Sequence, residues 1–480
     1  MRRDKNRFPF LLLKREALLM LGFLMFGAAL FGQKTTTAQE YVVVKDIQVE
    51  GNKKTKKYII LRELDFKVGD TLSLSGLQDR FEKNKKWFFN TDLFSEIQFN
   101  LSTWDLATHQ ATVSIIVKEA WYIYPLPIVE LADRNFNVWW DDHNHTLDRI
   151  NLGLAYYQNN FSGRQDKLVL IAQSGFTQKA EVEYGIPYFN HRKTIGVKAK
   201  LSFIRNRAVG YRVDDYKELF RFSEKEFSLR RFRVNVDWTY RPNLRLTHAL
   251  FTSYHYNRVS KFVVDSLNSE YFGKGLQEET FPGINYRLRY DLRDINLYSM
   301  TGSLLEYNLR YDGAFGGKGP ERWSSSLYYA QYLRFSKRWS VELIGKGAKT
   351  FFYGNPSYYH KSSLGGSEFI RGYEYYVLNG QDYAYAKTSL RLMLVDKPIP
   401  IHKFYGTKSL PFRMFLAMNN DVGIITDRYF PAQNPLSGKW LWGKGLGLDF
   451  VFFQSRAIQL EYSMNHFGEK GLFLHLKLFN

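Results

Sequence analysis

Residues 231–241, RFRVNVDWTYR, decide the fold of this chain, because apolar and polar residues alternate along the whole stretch. The apolar set is Phe232, Val234, Val236, Trp238 and Tyr240. Successive side chains of a β-strand point to opposite faces. The stretch therefore predicts a strand with one apolar face and one charged, wet face.

The same alternation recurs in segments such as 149–156 and 179–186. Strands of soluble sandwiches also alternate, but they average ~5–6 residues. The segments here run for ~8–12 residues and carry aromatic residues on the apolar face, which is typical of a membrane-spanning β-barrel. The composition agrees, since 17% of the residues are aromatic and the mean hydropathy is only −0.37 although 45% are hydrophobic.

The number of strands follows from the length of the region 121–480, which we assign to the transmembrane barrel. A strand with its connection takes ~20–22 residues, so the region holds ~16 antiparallel strands, with 14 and 18 also compatible. Glycines at alternate positions of one segment, Gly443, Gly445 and Gly447, predict open space on a lumen face.

Residues 1–38 predict a signal peptide. Four basic residues among the first seven precede an apolar run over 17–32, and small residues at 36–38 offer a cleavage site. The run is shorter than the ~20 residues of a spanning helix, so a membrane anchor is the alternative. The chain has no cysteine, which excludes disulfides and thiol catalysis. Its charge of +20 is spread along the chain, which favours contact with anionic lipids over nucleic acid.

Residues 41–120 predict a separate small α+β domain. A strand before Gly51, a short helix over 58–64 and a longer helix through Phe88 are followed by strands at 97–101 and 112–117. The predicted order is β-α-α-β-β, with both helices on one face of a three-stranded sheet.

Two sets of motifs resemble the Omp85 superfamily of outer-membrane barrels, the BamA-TamA or bacterial surface antigen D15 type. The segment 365–373, GGSEFIRGY, resembles the loop that this family inserts into the barrel lumen. The first domain resembles the family's POTRA domain. The lumen-loop residues are Gly365, Gly366, Ile370, Arg371, Gly372 and Tyr373. The POTRA motif residues are Gly51, Asn52, Gly69, Asn90, Leu93 and Phe94, with Asp92 where relatives carry glycine.

Further resemblances lie in the barrel region. They are the turns 160–163 and 186–188, the hairpin 291–302 and the D-x-G at 421–423. The resemblance implies 16 strands and an acidic wall residue that holds Arg371. Ser389 occupies the usual acidic position, so Glu368 and Asp382 are the candidate partners. The loop either stabilises the barrel or also takes part in handling clients.

The first and last barrel strands are expected to form a lateral seam. The seam residues are Pro127, Val129, Leu472, Leu474, Leu476 and Phe479. Proline cannot donate a ladder hydrogen bond, so a proline-bearing strand beside the seam predicts weak closure. The resemblance implies that client strands pair here, and ordinary closure with a bulge is the alternative.

The resemblance implies an assembly factor of the Gram-negative outer membrane, with its POTRA domain in the periplasm. Its expected partners are unfolded outer-membrane or secreted polypeptides, membrane lipids or lipopolysaccharide, and accessory periplasmic proteins or lipoproteins. Nucleic acid, cofactors, metal and enzymatic activity are not expected. The stretch 141–145, DDHNH, is interpreted as a solvated loop rather than a metal site. A two-partner secretion pore and a passive porin are the alternative functions.

Overall fold

A computed structural model describes most of the chain. The described residues are 40–131, 139, 144–190, 192, 194–214, 216–313, 317–354, 356–364, 368–404, 407–430, 434–452 and 456–477. The predicted signal peptide, Gly365, Gly366, Phe479 and most of the 141–145 stretch lie outside them. Among the helices of the described residues, none has both the length and the apolar character needed to cross a membrane.

The first domain packs two helices, α1 (Lys57–Arg62) and α2 (Leu77–Phe89), on one face of a small sheet. Its strands are β1 (Tyr41–Glu50), β2 (Thr71–Ser73), β3 (Phe94–Asp105) and β4 (Gln110–Glu119). The sheet order is β2-β1-β4-β3, with β1 and β4 parallel. Phe81 and Phe88 of α2 are buried against the sheet, because residues seven apart lie on one helical face.

One part of the predicted topology of this domain is wrong. The sheet has four strands, because an additional strand, β2, follows α1 and precedes α2 in the chain and pairs antiparallel with the start of β1. A three-residue strand is too short to show a period-2 pattern, which is why the sequence did not reveal it.

The predicted barrel of 16 antiparallel strands is confirmed. The sheet runs from β5 through consecutive neighbours to β26. Its strands are β5 (Ile123–Leu131), β6 (Ile150–Asn159), β7 (Lys167–Gly175), β8 (Thr177–Ile186), β9 (Ile195–Asn206), β12 (Leu229–Tyr240), β13 (Leu246–Val259), β14 (Glu278–Asp291), β15 (Gly302–Asp312), β16 (Arg322–Arg334), β17 (Trp339–Phe352), β20 (Asp382–Asp396), β23 (Phe412–Thr426), β24 (Trp440–Phe452), β25 (Arg456–Asn465) and β26 (Lys470–Lys477).

Within the described part of residues 121–480, three hairpins lie outside the barrel sheet. They are β10 (Ala208–Asp214) with β11 (Lys217–Phe222), β18 (Ser362–Leu364) with β19 (Leu378–Gly380), and β21 (Ile399–Phe404) with β22 (Thr407–Leu410). Single helical turns complete the described elements at Leu74–Gly76, Leu147–Arg149, Val263–Leu267 and Tyr358–His360. We call the end of the barrel that touches the first domain the near end and the opposite end the far end.

Candidate functional site

The connection between β17 and β20 carries the Ile370–Tyr373 motif, and we call it the lumen loop. Its tip lies on the inner faces of β23, β24 and β25. The outer faces of these strands carry exposed leucine, methionine and tryptophan side chains, so the alternate residues Asp421, Gly443 and Glu461 point inward. The motif therefore meets the wall from the lumen side.

Arg371 is the charged anchor of the lumen loop. Its Nη1 lies 2.6 Å from Asp421 Oδ1, and its Nε lies 2.6 Å from Glu461 Oε1. The backbone N–H of Arg371 also donates to Asp421 Oδ2 at 3.2 Å. Both carboxylates are almost fully buried. The guanidinium thus joins the loop to two wall strands, one of them next to the last strand of the chain.

Neither of the two candidate acids named from the sequence contacts Arg371. Glu368 pairs with Lys346, and Asp382 pairs with Arg428 at 3.2 Å. The partner Asp421 belongs to the D-x-G motif that the sequence analysis noticed but did not connect with the arginine. A search of the acidic residues at inward-facing strand positions for a partner of Arg371 could have suggested Asp421.

Glycines let the loop approach the wall closely. A Cβ on Gly443 would lie 1.7 Å from the Arg371 carbonyl oxygen, and one on Gly423 would lie 2.5 Å from Ile370 Cδ1. Gly372 has φ +81°, and a Cβ there would lie 2.5 Å from the Asn465 backbone nitrogen. The lumen loop therefore packs directly on Gly423, the third residue of the D-x-G motif, and on Gly443, the first of the alternating glycines.

Aromatic contacts extend the loop to the last strand. Tyr373, which is 1% exposed, joins its hydroxyl to His466 in the turn before β26. The Phe369 ring stacks on His475 of β26 with a centroid distance of 4.8 Å. The loop therefore spans the inner wall from β23 to β26.

A second segment, the turn of the hairpin 291–302, enters the lumen from the near end, a position that its resemblance to the family hairpin did not indicate. Tyr298, in the turn between β14 and β15, is buried and stacks on Phe415 of β23 at 5.4 Å. Arg391 lies over its ring at 4.8 Å, and Arg413 donates to its carbonyl oxygen at 3.5 Å. Its φ of +56° is rare for a bulky residue, so the surrounding contacts hold it there.

The near end of the lumen keeps an open cavity of about 1050 Å³ between α2 and the barrel wall. Lysines and arginines line it together with carboxylates; the residues include Lys83, Lys198, Asp237, Arg241, Arg289 and Asp291. Several of these charges pair with each other, for example Lys198 with Asp237 at 3.1 Å. The space is therefore wet and of mixed charge.

The POTRA motif residues shape the first domain and its edge towards the barrel. Gly51 has φ +84°, and a Cβ there would lie 2.0 Å from the Val117 carbonyl oxygen. Asn52 Nδ2 donates to the Thr55 carbonyl oxygen at 2.9 Å. Gly69 also has positive φ, Asn90 follows the end of α2, and Leu93 and Phe94 are buried in the domain core.

A buried hydrogen-bond network joins this domain to the first near-end turn. Thr55 Oγ1 lies 2.9 Å from the Tyr122 hydroxyl and accepts from Asn160 Nδ2 at 2.9 Å. Burial raises the pKa of Tyr122 to about 12, so the phenol stays protonated. A Cβ on Gly163 would lie 2.2 Å from the Lys54 carbonyl oxygen, which explains the glycine in this turn.

A second contact uses the turn at 186–188. The Tyr188 hydroxyl donates to Glu63 Oε1 at 3.2 Å and accepts from Arg241 Nη1 at 2.7 Å. The guanidinium of Arg62 lies 4.0 Å from the Tyr188 ring centroid. Burial raises the pKa of Tyr188. Motifs from the first domain and from the barrel thus form one junction.

The predicted seam strands are the two edges of the barrel sheet. Among the described residues, β5 pairs only with β6, and β26 pairs only with β25. Pro127 lies on β5. The side chains of Val129, Leu472 and Leu474 are 73%, 54% and 49% exposed and face outward. The backbone of Leu476 is in register with Ile458, whereas Phe479 lies outside the described residues.

The near end of the seam lies beside the first domain. Arg456 at the start of β25 lies 5.8 Å from the ring centroid of Tyr124 on β5, so a side chain from the strand next to β26 reaches the other edge strand. Asp92 of the first domain is close enough to feel the charge of Arg456. Burial raises the pKa of Asp92, and Arg456 and Lys167 oppose that shift. Asp92, which stands where relatives carry glycine, therefore lies near the seam.

No group of three or more metal-binding side chains occurs within the described part of the chain. Asn144 and His145 of the 141–145 stretch are described and both have positive φ, whereas the other three residues lie outside.

Comparisons with known proteins agree with this geometry. The Omp85 superfamily domain model matches residues 160–450, and the POTRA model, described as a surface antigen variable number repeat, matches residues 42–120. No curated protein matches the sequence.

Solved structures share the fold at low identity. BamA from Haemophilus ducreyi lacking POTRA domains 1–3 is similar with a TM-score of 0.51 at 12% identity, over 90% of this chain and 83% of that one. CdiB from Escherichia coli is similar with a TM-score of 0.54 at 14% identity, over 91% of this chain and 76% of that one.

Proposed function

Because this chain belongs to the Omp85 superfamily, we propose that it is an outer-membrane assembly factor that inserts client polypeptides through the seam between β5 and β26. The observation that carries the proposal is the contrast within the barrel sheet. Every other pair of neighbouring strands forms a ladder in the described residues, whereas the two edges do not. Unpaired strand edges are templates for another strand.

The internal bracing supports the same reading. The lumen loop holds β23, β25 and β26 from inside, so the wall next to the seam keeps its position without a ladder across it. A client strand that pairs with the edge would satisfy its own backbone in the membrane, and burial of its apolar face would supply the free energy. This mechanism needs no cofactor and no catalytic residue.

The POTRA domain would receive the client on the periplasmic side. Among the residues that the structure describes, its strand β3 pairs with β4 on one side only, and its other side is an edge of the domain sheet. An extended polypeptide adds to such an edge by main-chain hydrogen bonds. The alternative is that this domain is a structural plug or spacer. Accessory periplasmic proteins or lipoproteins would share this face, and lipids or lipopolysaccharide would contact the barrel surface.

A polypeptide secretion pore is the second candidate function. The cavity of about 1050 Å³ at the near end favours it, because a chain could enter there. The lumen loop and the Tyr298 turn fill the lumen beside β23–β25, so passage would require one of them to leave. The insertase requires only the edges to separate.

The experiment uses the absence of native cysteine to lock the seam. A disulfide between Val129→Cys and Leu474→Cys should abolish insertion of barrel clients into proteoliposomes, and reduction should restore it. The matched control is Leu460→Cys with Leu474→Cys, which joins two residues already in register on β25 and β26. The control should insert clients normally. Normal client insertion by the protein with the disulfide across the seam would contradict the insertase. If secretion of a client stopped only when the lumen loop was cross-linked to the barrel wall, the secretion pore would be favoured.

A further inference from the structure

Three arginines stand side by side on adjacent strands near the far end of the barrel. Arg230 of β12 is in register with Arg205 of β9 on one side and with Arg258 of β13 on the other. Residues in register on neighbouring strands lie on the same face of a sheet. We call Arg205, Arg230 and Arg258 the arginine row.

The arginine row lies on the outer, membrane-facing surface. Along β9, the residues two and four before Arg205 are Phe203 and Leu201, which are 44% and 49% exposed. Along β12, Arg230 is two residues from Phe232 and shares its face. Lumen-facing arginines of the same strands, such as Arg231, occupy the alternate positions.

The height of the row matches the boundary of the apolar band. The next outward layer consists of Phe203, Phe232 and Tyr256, which are in register with one another. Ten residues separate Arg230 from Tyr240 at the near end of β12. At ~3.3 Å per residue and a strand tilt of ~40°, this is ~25 Å, the usual height of the apolar band. The arginine row therefore lies just beyond an aromatic girdle, at the level of lipid headgroups.

In the described part of the protein the positive charges of the row form no direct ion pair, although Glu226 is close enough to Arg230 for the two charges to interact. Among the described residues, no carboxylate lies within 4 Å of any of the three guanidinium groups. Two nearby acids are engaged elsewhere: Glu278, in register with Arg258, accepts from the Tyr256 hydroxyl at 3.2 Å, and Glu226 pairs with Arg221 at 2.9 Å. Like charges placed directly opposite on adjacent strands destabilise a sheet.

Part of the row is nevertheless held in place. Arg205 Nε donates to Gln178 Oε1 at 2.7 Å, and its guanidinium lies 4.1 Å from the Phe227 ring centroid. The corresponding rim on β15–β17 is different. There Tyr311 and Trp323 stack at 4.5 Å, Glu321 accepts from Tyr311, and the single lysine Lys349 lies over the Phe351 ring at 5.0 Å, so no row of adjacent like charges forms. The cationic row is a local feature of one side of the barrel.

We propose that the arginine row binds the phosphate groups of a lipid that carries more than one phosphate, in the leaflet at the far end of the barrel. Guanidinium groups bind phosphate oxygens in a bidentate way. Three strands at ~4.8 Å spacing make a row ~10 Å wide, which suits two phosphates on one headgroup. The aromatic layer beneath would pack on its acyl chains. In the orientation proposed above this is the outer leaflet, where the lipid is a phosphorylated glycolipid.

The test measures lipid retention on the purified protein in zwitterionic nanodiscs by native mass spectrometry. The probes are diphosphoryl lipid A, its dephosphorylated form, and inorganic phosphate as a competitor. We expect the intact protein to retain the diphosphoryl lipid at least tenfold better than the dephosphorylated one. The variant R205Q/R230Q/R258Q should lose this preference, and R205K/R230K/R258K should keep part of it.

The matched control is R334Q/K337Q/R338Q, which removes the same charge from an exposed near-end turn and should retain the lipid normally. Equal retention of both lipids by the intact protein would overturn the proposal, whether or not the row variant folds. Equal loss in the control would show attraction by net charge alone and would also overturn it. Displacement by millimolar inorganic phosphate would mean a free-anion site rather than a lipid site.

Discussion

The two walls that flank the seam are supported from different directions. The wall from β6 to β12 is held at its near end by the first domain, through Thr55, Tyr188 and their partners. The wall from β23 to β26 is held from inside by the lumen loop, through Arg371. Each wall therefore has a support that does not depend on a ladder between β5 and β26, as the proposed opening of the seam requires.

Loss of the internal support should have the largest effect. Arg371→Ala leaves Asp421 and Glu461 buried without their partner, and breaking a buried ion pair costs ~3–5 kcal/mol. We expect the barrel to unfold at clearly lower urea concentration, measured by heat-modifiable migration on gels. Arg371→Lys should rescue little, because a point charge does not reach both carboxylates as the guanidinium fork does.

Arg428→Ala is the control for this change. Arg428 also joins a loop to the wall, but its side chain and that of Asp382 are 37% and 27% exposed. Exposed pairs contribute ~1 kcal/mol or less. Equal decreases of the urea midpoint of unfolding in Arg371→Ala and Arg428→Ala would mean that the contact of Arg371 with the wall is no stronger than an ordinary surface ion pair.

A clash on the same wall should have the next largest effect. In Gly443→Ala the new Cβ would meet the Arg371 carbonyl oxygen, and such overpacking costs ~1–3 kcal/mol or more. The loop should then become sensitive to protease while the barrel stays folded. Gly347→Ala on β17 is the control, because its Cβ would have no atom within 4 Å. If the lumen loop resisted protease equally in Gly443→Ala and Gly347→Ala, the close approach of the loop to Gly443 would be contradicted.

Weakening of the contact between the first domain and the near end of the barrel, which supports the wall from outside, should have the smallest effect. Thr55→Val removes the hydroxyl that Tyr122 and Asn160 share, and an unsatisfied buried group costs ~1–3 kcal/mol. Hydrogen exchange should speed up in β1 and α1 while the unfolding midpoint of the barrel is unchanged. Thr108→Val, which removes an exposed hydrogen bond to Asp105, should change neither. A lower barrel midpoint in Thr55→Val would show that the two supports are not independent.

The fold was largely predictable because its signals are local and repeated. Alternation such as that of 231–241 marks each strand, and length alone brings the count near 16. The missing strand of the first domain, β2, has three residues and no such signal. Strand bounds also agree well where a turn motif follows, as at Pro187 after β8.

The candidate site was predictable only in part, because its contacts join distant positions. Arg371 was recognisable from its own motif, and its partner Asp421 from another, but nothing in either motif joins them across 50 residues. Glu461 belongs to no motif that was noticed. Tyr298 was invisible, because a tyrosine in a turn gives no sign that its backbone will be left-handed and buried.

The distance along the chain between Arg371 and its partners has a consequence for folding. Arg371 precedes Asp421 by 50 residues and Glu461 by 90 residues along the chain. Transfer of the loop into the lumen before β25 has paired with β24 would leave the guanidinium with Asp421 alone and without Glu461. Loop insertion is therefore most favourable as a late step. The barrel acquires its complete internal brace only when β25 has joined the wall.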